Sequence, residues 1–346
     1  MRKLIILLIL ISLLSSTVNA AEFTAPQAPE SAQKYMPYQQ KTFWEDLWWI
    51  VQNAIKDLMP SFSETVRLCV SLIGLALLIS LLSNFKGVSL QTVELAGALL
   101  TAVLLLEPSK ALVRLGVDTV KEISEYGKLL IPVMASALAA EGGVTTAAAL
   151  YAGTILFNTV LSTAVTKLIS PLVFIFLAAM IGNAALTSST LESIGKMVKW
   201  LITWILKVII FLFTGYISIT GVISGTTDAA ALKAAKLTLS GVVPVVGGMI
   251  SDASEAVLVS ASVMKNAAGI YGLLAIAAIF VSPFITIGVQ YLLLKATAGA
   301  CKAFGVKPVS IVTECFTSAM GFLLAMTGVV TLLFLFSTTC YMKGIA

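Results

Sequence analysis

The sequence predicts an all-α polytopic membrane protein with about eight transmembrane helices, a count set by the ~20 residues that each crossing needs. Three observations carry that expectation. The 346 residues are 58% hydrophobic and only 11% charged, against about a quarter charged in an ordinary soluble domain. Apolar runs recur along the whole chain, and the mean hydropathy is +1.00. Prolines and glycines interrupt the longest runs, which predicts re-entrant or interfacial broken hairpins among the spans. In lipid every backbone polar group must be satisfied internally, so helices with buried breaks are the permitted solution.

The composition also removes whole classes of chemistry. There is no histidine, so Ser-His-Asp and Cys-His nucleophiles, HExxH zinc sites and histidine proton switches are excluded together. Cys69, Cys301, Cys315 and Cys340 form no CxxC and match no disulfide framework. The net charge of +5 comes from scattered lysines and gives nucleic-acid binding no support. No Walker A, GxGxxG or GxSxG sequence is present. The expectation is a non-enzyme with no cofactor, no metal and no catalytic residues.

Residues 1–20 read as a signal peptide: Arg2 and Lys3, an apolar Leu4 to Leu14, and small residues Val18 and Ala20 at −3 and −1. Cleavage there leaves the mature N-terminus outside the cytoplasm. Residues 21–62 form an extracytoplasmic segment. Its "FWEDLWWIVQNAIKDLMP" places Phe43, Trp44, Leu47, Trp48, Val51, Ile55 and Leu58 on one helical stripe. Tryptophan prefers the headgroup level, so this helix is expected to lie on the outer leaflet or to dock a partner. Residues 63–108 form a two-helix membrane hairpin, with Lys86 in its turn.

Residues 109–128 mix charge with apolar residues and suit an amphipathic interfacial helix. From Val144 to Leu186 the chain is apolar for too long to cross once, so a fold-back is expected at Ser170-Pro171. Ala267 to Thr297 repeats the problem, with Ser282-Pro283 as the expected break. A shift of 112 residues pairs "LLIPVM" (129–134) with "GVVPVV" (241–246) and "LISPLVFI" (168–175) with "FVSPFITI" (280–287). Two membrane repeat units, 109–224 and 225–346, follow if the pairing is a duplication. Inverted repeats of that kind are common in secondary transporters. The competing reading is coincidence, because ten prolines generate many spacings.

Glu94 and Lys207 are charges inside apolar runs, where charge usually faces protein or water. They read as an ion pair between helices, an ion pathway, or a snorkelling lysine. Asn158 and Gln290 read as interhelical hydrogen-bond formers.

The most distinctive stretch is "TGVISGTTDAAALKAAKLTLSGVVPVVGGMISDASEAVLVSASVMKNAAGIYG" (220–272). Lys233, Lys236, Ser240, Pro244, Val246, Gly247, Gly248, Ser251, Asp252, Ala253, Lys265, Asn266, Ala267, Gly269 and Gly272 stand in it at the positions typical of one family. In this it resembles the stage III sporulation protein AE family of endospore-forming bacteria, and the layout of the whole chain agrees. Leu237 departs from the pattern, where an aromatic residue is usual.

The resemblance implies a membrane subunit of the channel or secretion complex that links mother cell and engulfed forespore. The implied partners are other stage III operon proteins, among them a secretion-type ATPase and ring-forming subunits, with the forespore's stage II protein Q contacted indirectly. Membrane lipid surrounds the chain, and self-association is open. The implied location is the mother-cell membrane around the forespore. The family carries no assigned catalytic residues. Pro244, Gly247, Gly248, Asp252, Glu255, Lys265 and Asn266 are the expected functional or packing residues, in a broken hairpin packed on the bundle. The alternatives are a self-sufficient secondary transporter and, beyond it, an assembly scaffold.

Overall fold

The computed structural model describes residues 25–37, 42–83, 89–242 and 247–343, and over 216–264 it describes the helical backbone without side chains. Residues 1–20, expected as a signal peptide, and Lys86, expected in a turn, lie outside the described residues. The described chain is helical throughout: α1 Glu30–Gln33, α2 Phe43–Leu82, α3 Leu90–Ala140, α4 Val144–Thr163, α5 Ser170–Leu186, α6 Ser189–Val242, α7 Gly247–Ala303 and α8 Lys307–Lys343. Among the described residues, six helices are long and apolar enough to cross a membrane. The expected number was about eight, and the difference lies at the proline breaks.

Neither Ser-Pro step reverses the chain. At the first, α4 runs on into α5 through a π-helical turn, Ala164–Ile169. Pro171 offers no N–H to the preceding turn and crowds its carbonyl. The wider π-turn just before it absorbs the mismatch without ending the helix. Val144–Leu186 is therefore one 43-residue span. At the second, Pro283 lies inside α7, which continues through it although its missing N–H leaves the Ile279 carbonyl, four residues back, without its usual donor. Prolines survive in membrane helices because neighbouring helices and Ser/Thr hydroxyls satisfy freed backbone groups.

The same continuity removes two expected interfacial helices as separate elements. The Trp-rich helix is the first half of α2 and passes through Pro60 into the apolar run. It begins at a capping box: Thr42 Oγ1 accepts from Glu45 N–H at 3.4 Å, and the Glu45 carboxylate accepts from Thr42 N–H at 3.3 Å. Its buried face is Asp46, Ile50 and Ala54, while Trp44, Trp48, Ile55 and Met59 point outward. Residues 109–128 are the middle of α3, which crosses Pro108 without ending. At 51 residues, α3 is about 76 Å long at 1.5 Å per residue, more than twice a ~30 Å hydrocarbon core.

The last helix is the centre of the bundle. α8 packs against α7, α3, α5, α4 and α6, whereas α2 leans on α7 and α3. Its apolar window is 61% buried, and no other span exceeds 44%. A helix so enclosed has to satisfy its own hydroxyls. Thr313, Thr317, Thr327, Thr331 and Thr338 each donate to the carbonyl four residues back, at 2.8 to 2.9 Å. Between helices, Thr154 of α4 and Ser337 of α8 share a 2.7 Å hydrogen bond. Asn158 Nδ2 donates to the Ser124 carbonyl of α3 at 3.2 Å, as the sequence suggests. Gln290 is half-buried on α7.

Candidate functional site

The described end of the signature is anchored by charge. Lys265, in the first half of α7, is 1% exposed, and its ammonium donates to the Glu141 carboxylate. Glu141 follows the last residue of α3, where the chain turns through Gly142 at φ 101°. That left-handed conformation suits glycine and ends the helix there. Four and seven residues beyond Lys265, Gly269 and Gly272 face the same way. A Cβ on Gly269 would stand 2.5 Å from Met342 Cγ, and one on Gly272 would stand 2.6 Å from Leu130 Cδ2. Lysine and two glycines at that spacing thus press one face of α7 onto the ends of α3 and α8. Asn266 is exposed beside them.

The other singled-out positions are less informative. Pro244 lies outside the described residues, and so do the side chains of Gly247, Gly248, Asp252 and Glu255. The helices on either side end at Val242 and start at Gly247. Glu141 was not singled out from the sequence. Its one signal is an acid directly before Gly-Gly at the close of an apolar run.

A polar strap crosses the bundle just below this junction. Ala28 N–H donates to the Tyr271 hydroxyl at 3.3 Å, and Tyr126 donates to the Pro26 carbonyl at 3.2 Å. Ser31 donates to Glu122. Tyr35 donates to Asp57 at 2.9 Å, with Ser282 Oγ 3.0 Å away. Lys34 also donates to Asp57, at 2.8 Å. Hydrogen bonding to Asp57, and then to Tyr35, holds the Lys34 ammonium above its ordinary range. Ala28, Ala32 and Tyr35 are buried, so residues 25–37 are clamped onto α2, α3 and α7. Tyr35→Phe removes the hydroxyl and is expected to loosen the strap by about 1–2 kcal/mol. Limited trypsin digestion at Lys34 checks this, with faster cleavage in the variant.

At the opposite end lies a cavity of about 540 Å³. It opens between the starts of α3, α6 and α8 and the end of α5. Glu94, Glu192 and Glu314 line it together with Lys196, Lys199 and Lys307. Glu192 and Lys196 pair at 2.5 Å, one turn apart. Thr187, at φ 52°, makes the tight turn from α5 towards α6 on its rim. Glu94 belongs to this vestibule, whereas Lys207 is exposed on the flank of α6. Among the described residues no ion pair joins Glu94 to Lys207, and Lys207 is not among the residues that line the vestibule. Three acids and three lysines around one opening make a hydrated vestibule without strong preference for either sign of charge.

A fourth feature runs along α3. Glu107, Lys110, Arg114 and Asp118, followed by Lys121, Glu125 and Lys128, are all exposed. Their spacing of three or four residues forms one continuous stripe on the helix. Glu107–Lys110 and Asp118–Lys121 sit 3.7 and 3.6 Å apart. Midway, Lys110, Arg114 and Lys121 border a cavity of about 430 Å³ against Ser170 and Phe174.

Among the described residues, five apolar spans around a sixth, buried central one, with polar groups gathered at both ends, define a helical-bundle integral membrane protein. The chain belongs to the stage III sporulation protein AE family, whose profile matches residues 31–344. It is similar to the stage III sporulation protein AE of Bacillus subtilis (strain 168), with 23% identity over 222 residues. That alignment takes in 64% of this chain and 56% of the relative, so the match spans little more than half the relative's length. No solved structure matches the chain.

Proposed function

We propose that this chain is a non-enzymatic membrane subunit of a transenvelope channel or secretion complex that joins mother cell and forespore after engulfment. The observation that carries the reading is membership of a sporulation family over residues 31–344 in a chain with six apolar spans. Its partners are the other stage III operon proteins, including an ATPase and ring-forming subunits, with stage II protein Q reached from the forespore side. Its place is the mother-cell membrane around the forespore, with the N-terminus extracytoplasmic. Six crossings then put the vestibule end in the cytoplasm. Lys196, Lys199, Lys302 and Lys307 gather near that end, in keeping with the positive-inside rule.

The self-sufficient secondary transporter is the second reading, with Glu94 in the vestibule and Lys207 exposed on α6 as its separate charges. The experiment that tests the proposal is a clean deletion of the gene in its own organism. Sporulation is expected to stop after engulfment, and normal numbers of heat-resistant spores would sink the proposal.

A further inference from the structure

The vestibule keeps charges that the protein does not pair. Of the acids and lysines that line it, Glu192 and Lys196 pair with each other. Glu94, Glu314, Lys199 and Lys307 line the same cavity, and among the described residues none of them has an ion-pair partner. Beneath these charges the lining is apolar, with Phe176 and Cys315 buried and Met180 and Ile311 half-buried. At about 540 Å³ the cavity has the size of a small-ligand site, about 300–1,000 Å³.

Contacts place this cavity at the edge of an apolar collar. A Cβ on Gly97 of α3 would stand 2.5 Å from Ile79 of α2 and 3.6 Å from Val309 of α8. One on Gly195 of α6 would stand 2.4 Å from the sulfur of Met180 on α5. At this level the outward side chains are bare and apolar. Leu81 and Leu82 on α2, Leu99 and Leu100 on α3, Leu186 on α5 and Met197 on α6 are 48% to 68% exposed. The collar ends where α2 gives way to Ser83 and α5 to Thr187. Directly after Lys199, Trp200 and Trp204 stack 6.2 Å apart, 63% and 50% exposed. Exposed tryptophans and lysines at the edge of an apolar surface mark the headgroup level of a bilayer. The vestibule opens at that level.

We propose that the vestibule binds the headgroup of a zwitterionic phospholipid that carries a phosphate and a primary ammonium, the phosphatidylethanolamine class. Lys199 and Lys307 hold the phosphate through charge-assisted hydrogen bonds. Glu94 and Glu314 accept from the ammonium, which has three donors. A choline head presents no N–H to these carboxylates, and a glycerol head presents no positive charge. The acyl chains stay outside the cavity, along Leu186 and Met197 at its mouth, where apolar contact favours a lipid over a free zwitterion. The site stands independently of the transenvelope reading.

Native mass spectrometry of the full-length protein tests this, in a neutral detergent with equimolar dioleoyl lipids bearing ethanolamine, choline and glycerol heads. The wild type is expected to retain the ethanolamine lipid at least about ten-fold over the other two, since hydrogen bonds to charged groups are worth about that factor. Lys199→Gln with Lys307→Gln is expected to weaken all three lipids by at least about ten-fold, because they share the phosphate. Glu94→Gln with Glu314→Gln is expected to erase the preference and to bind the anionic, glycerol-headed lipid more tightly than the wild type does. A collapsed site cannot produce that gain, and only variants that stay monodisperse are scored. Equal retention of the three lipids by the wild type overturns the proposal, and so does a preference that both double variants keep. Soluble phosphoethanolamine separates the two sources of the same chemistry. It is expected to leave the lipid in place at about a hundred-fold excess, because it buries no acyl chain. Displacement at the lipid's own concentration assigns the site to a free zwitterion and overturns the lipid. Spore formation is not read here, so normal spores from the deletion would remove the transenvelope reading and leave this result standing.

Discussion

Glu141→Gln is expected to destabilise the membrane-inserted protein by about 3–5 kcal/mol, because it strands a buried charge. The Lys265 side chain is 2% exposed and that of Glu141 is 12% exposed. Neutralising the acid leaves an ammonium that water cannot reach. Neutralising the lysine leaves a carboxylate that can turn towards the surface at the end of α3. Lys265→Met is therefore expected to cost clearly less than Glu141→Gln, although both break the same pair. Replacing both, Lys265→Met with Glu141→Leu, is expected to be close to neutral, since a well-packed apolar pair removes the desolvation cost along with the attraction. Thermal unfolding of the four proteins in one detergent checks the order. A double variant as unstable as Glu141→Gln would show that the pair sets packing rather than compensating charge.

That pair also shows what the sequence could and could not disclose. Lys265, Gly269 and Gly272 stand out locally, and their spacing of four and three residues already puts them on one helical face. The surface they meet is 124 residues away in Glu141, and nothing local names that partner. The stripe from Glu107 to Lys128 was visible as an amphipathic pattern in the same way. Its neighbours were not, because an amphipathic helix in a membrane protein reads first as one lying flat in the interface.

The length argument failed where it depended on a break. A Ser-Pro step in 43 apolar residues is sound evidence for a turn when helices must fit the bilayer. It loses force when helices protrude, as α3 and α7 do. Pro171 then needs only local accommodation by the π-turn before it, and Pro283 is carried inside a continuous helix. Fold class and span chemistry were legible because composition and hydropathy act on every residue. Span number was not, because it turned on two residues whose outcome depends on what packs around them.

Gly127→Ala is the second substitution expected to have a large effect, and its cause is pure shape. A Cβ at this position would lie 2.0 Å from Phe334 Cε1 and 2.3 Å from Cζ. Phe334 is fully buried, so its ring has no free volume to enter, and a ring cannot bend away. Overpacking of this kind costs about 1–3 kcal/mol, and the rigid neighbour puts Gly127→Ala at the upper end. Gly116→Ala meets the same central helix with a different outcome. Its nearest contact is Met326 Cε at 3.0 Å, the end of a flexible side chain that swings aside, so the cost falls below about 1 kcal/mol. Gly299 has nothing within 4 Å, and Gly299→Ala is expected to gain about 0.5–1 kcal/mol from helix propensity. In a Phe334→Leu background the penalty of Gly127→Ala shrinks, because the ring is gone. A thermal double-mutant cycle measures that coupling, expected at about 1–2 kcal/mol for residues in direct contact. Additive losses would mean that α3 and α8 are not seated on each other at this point.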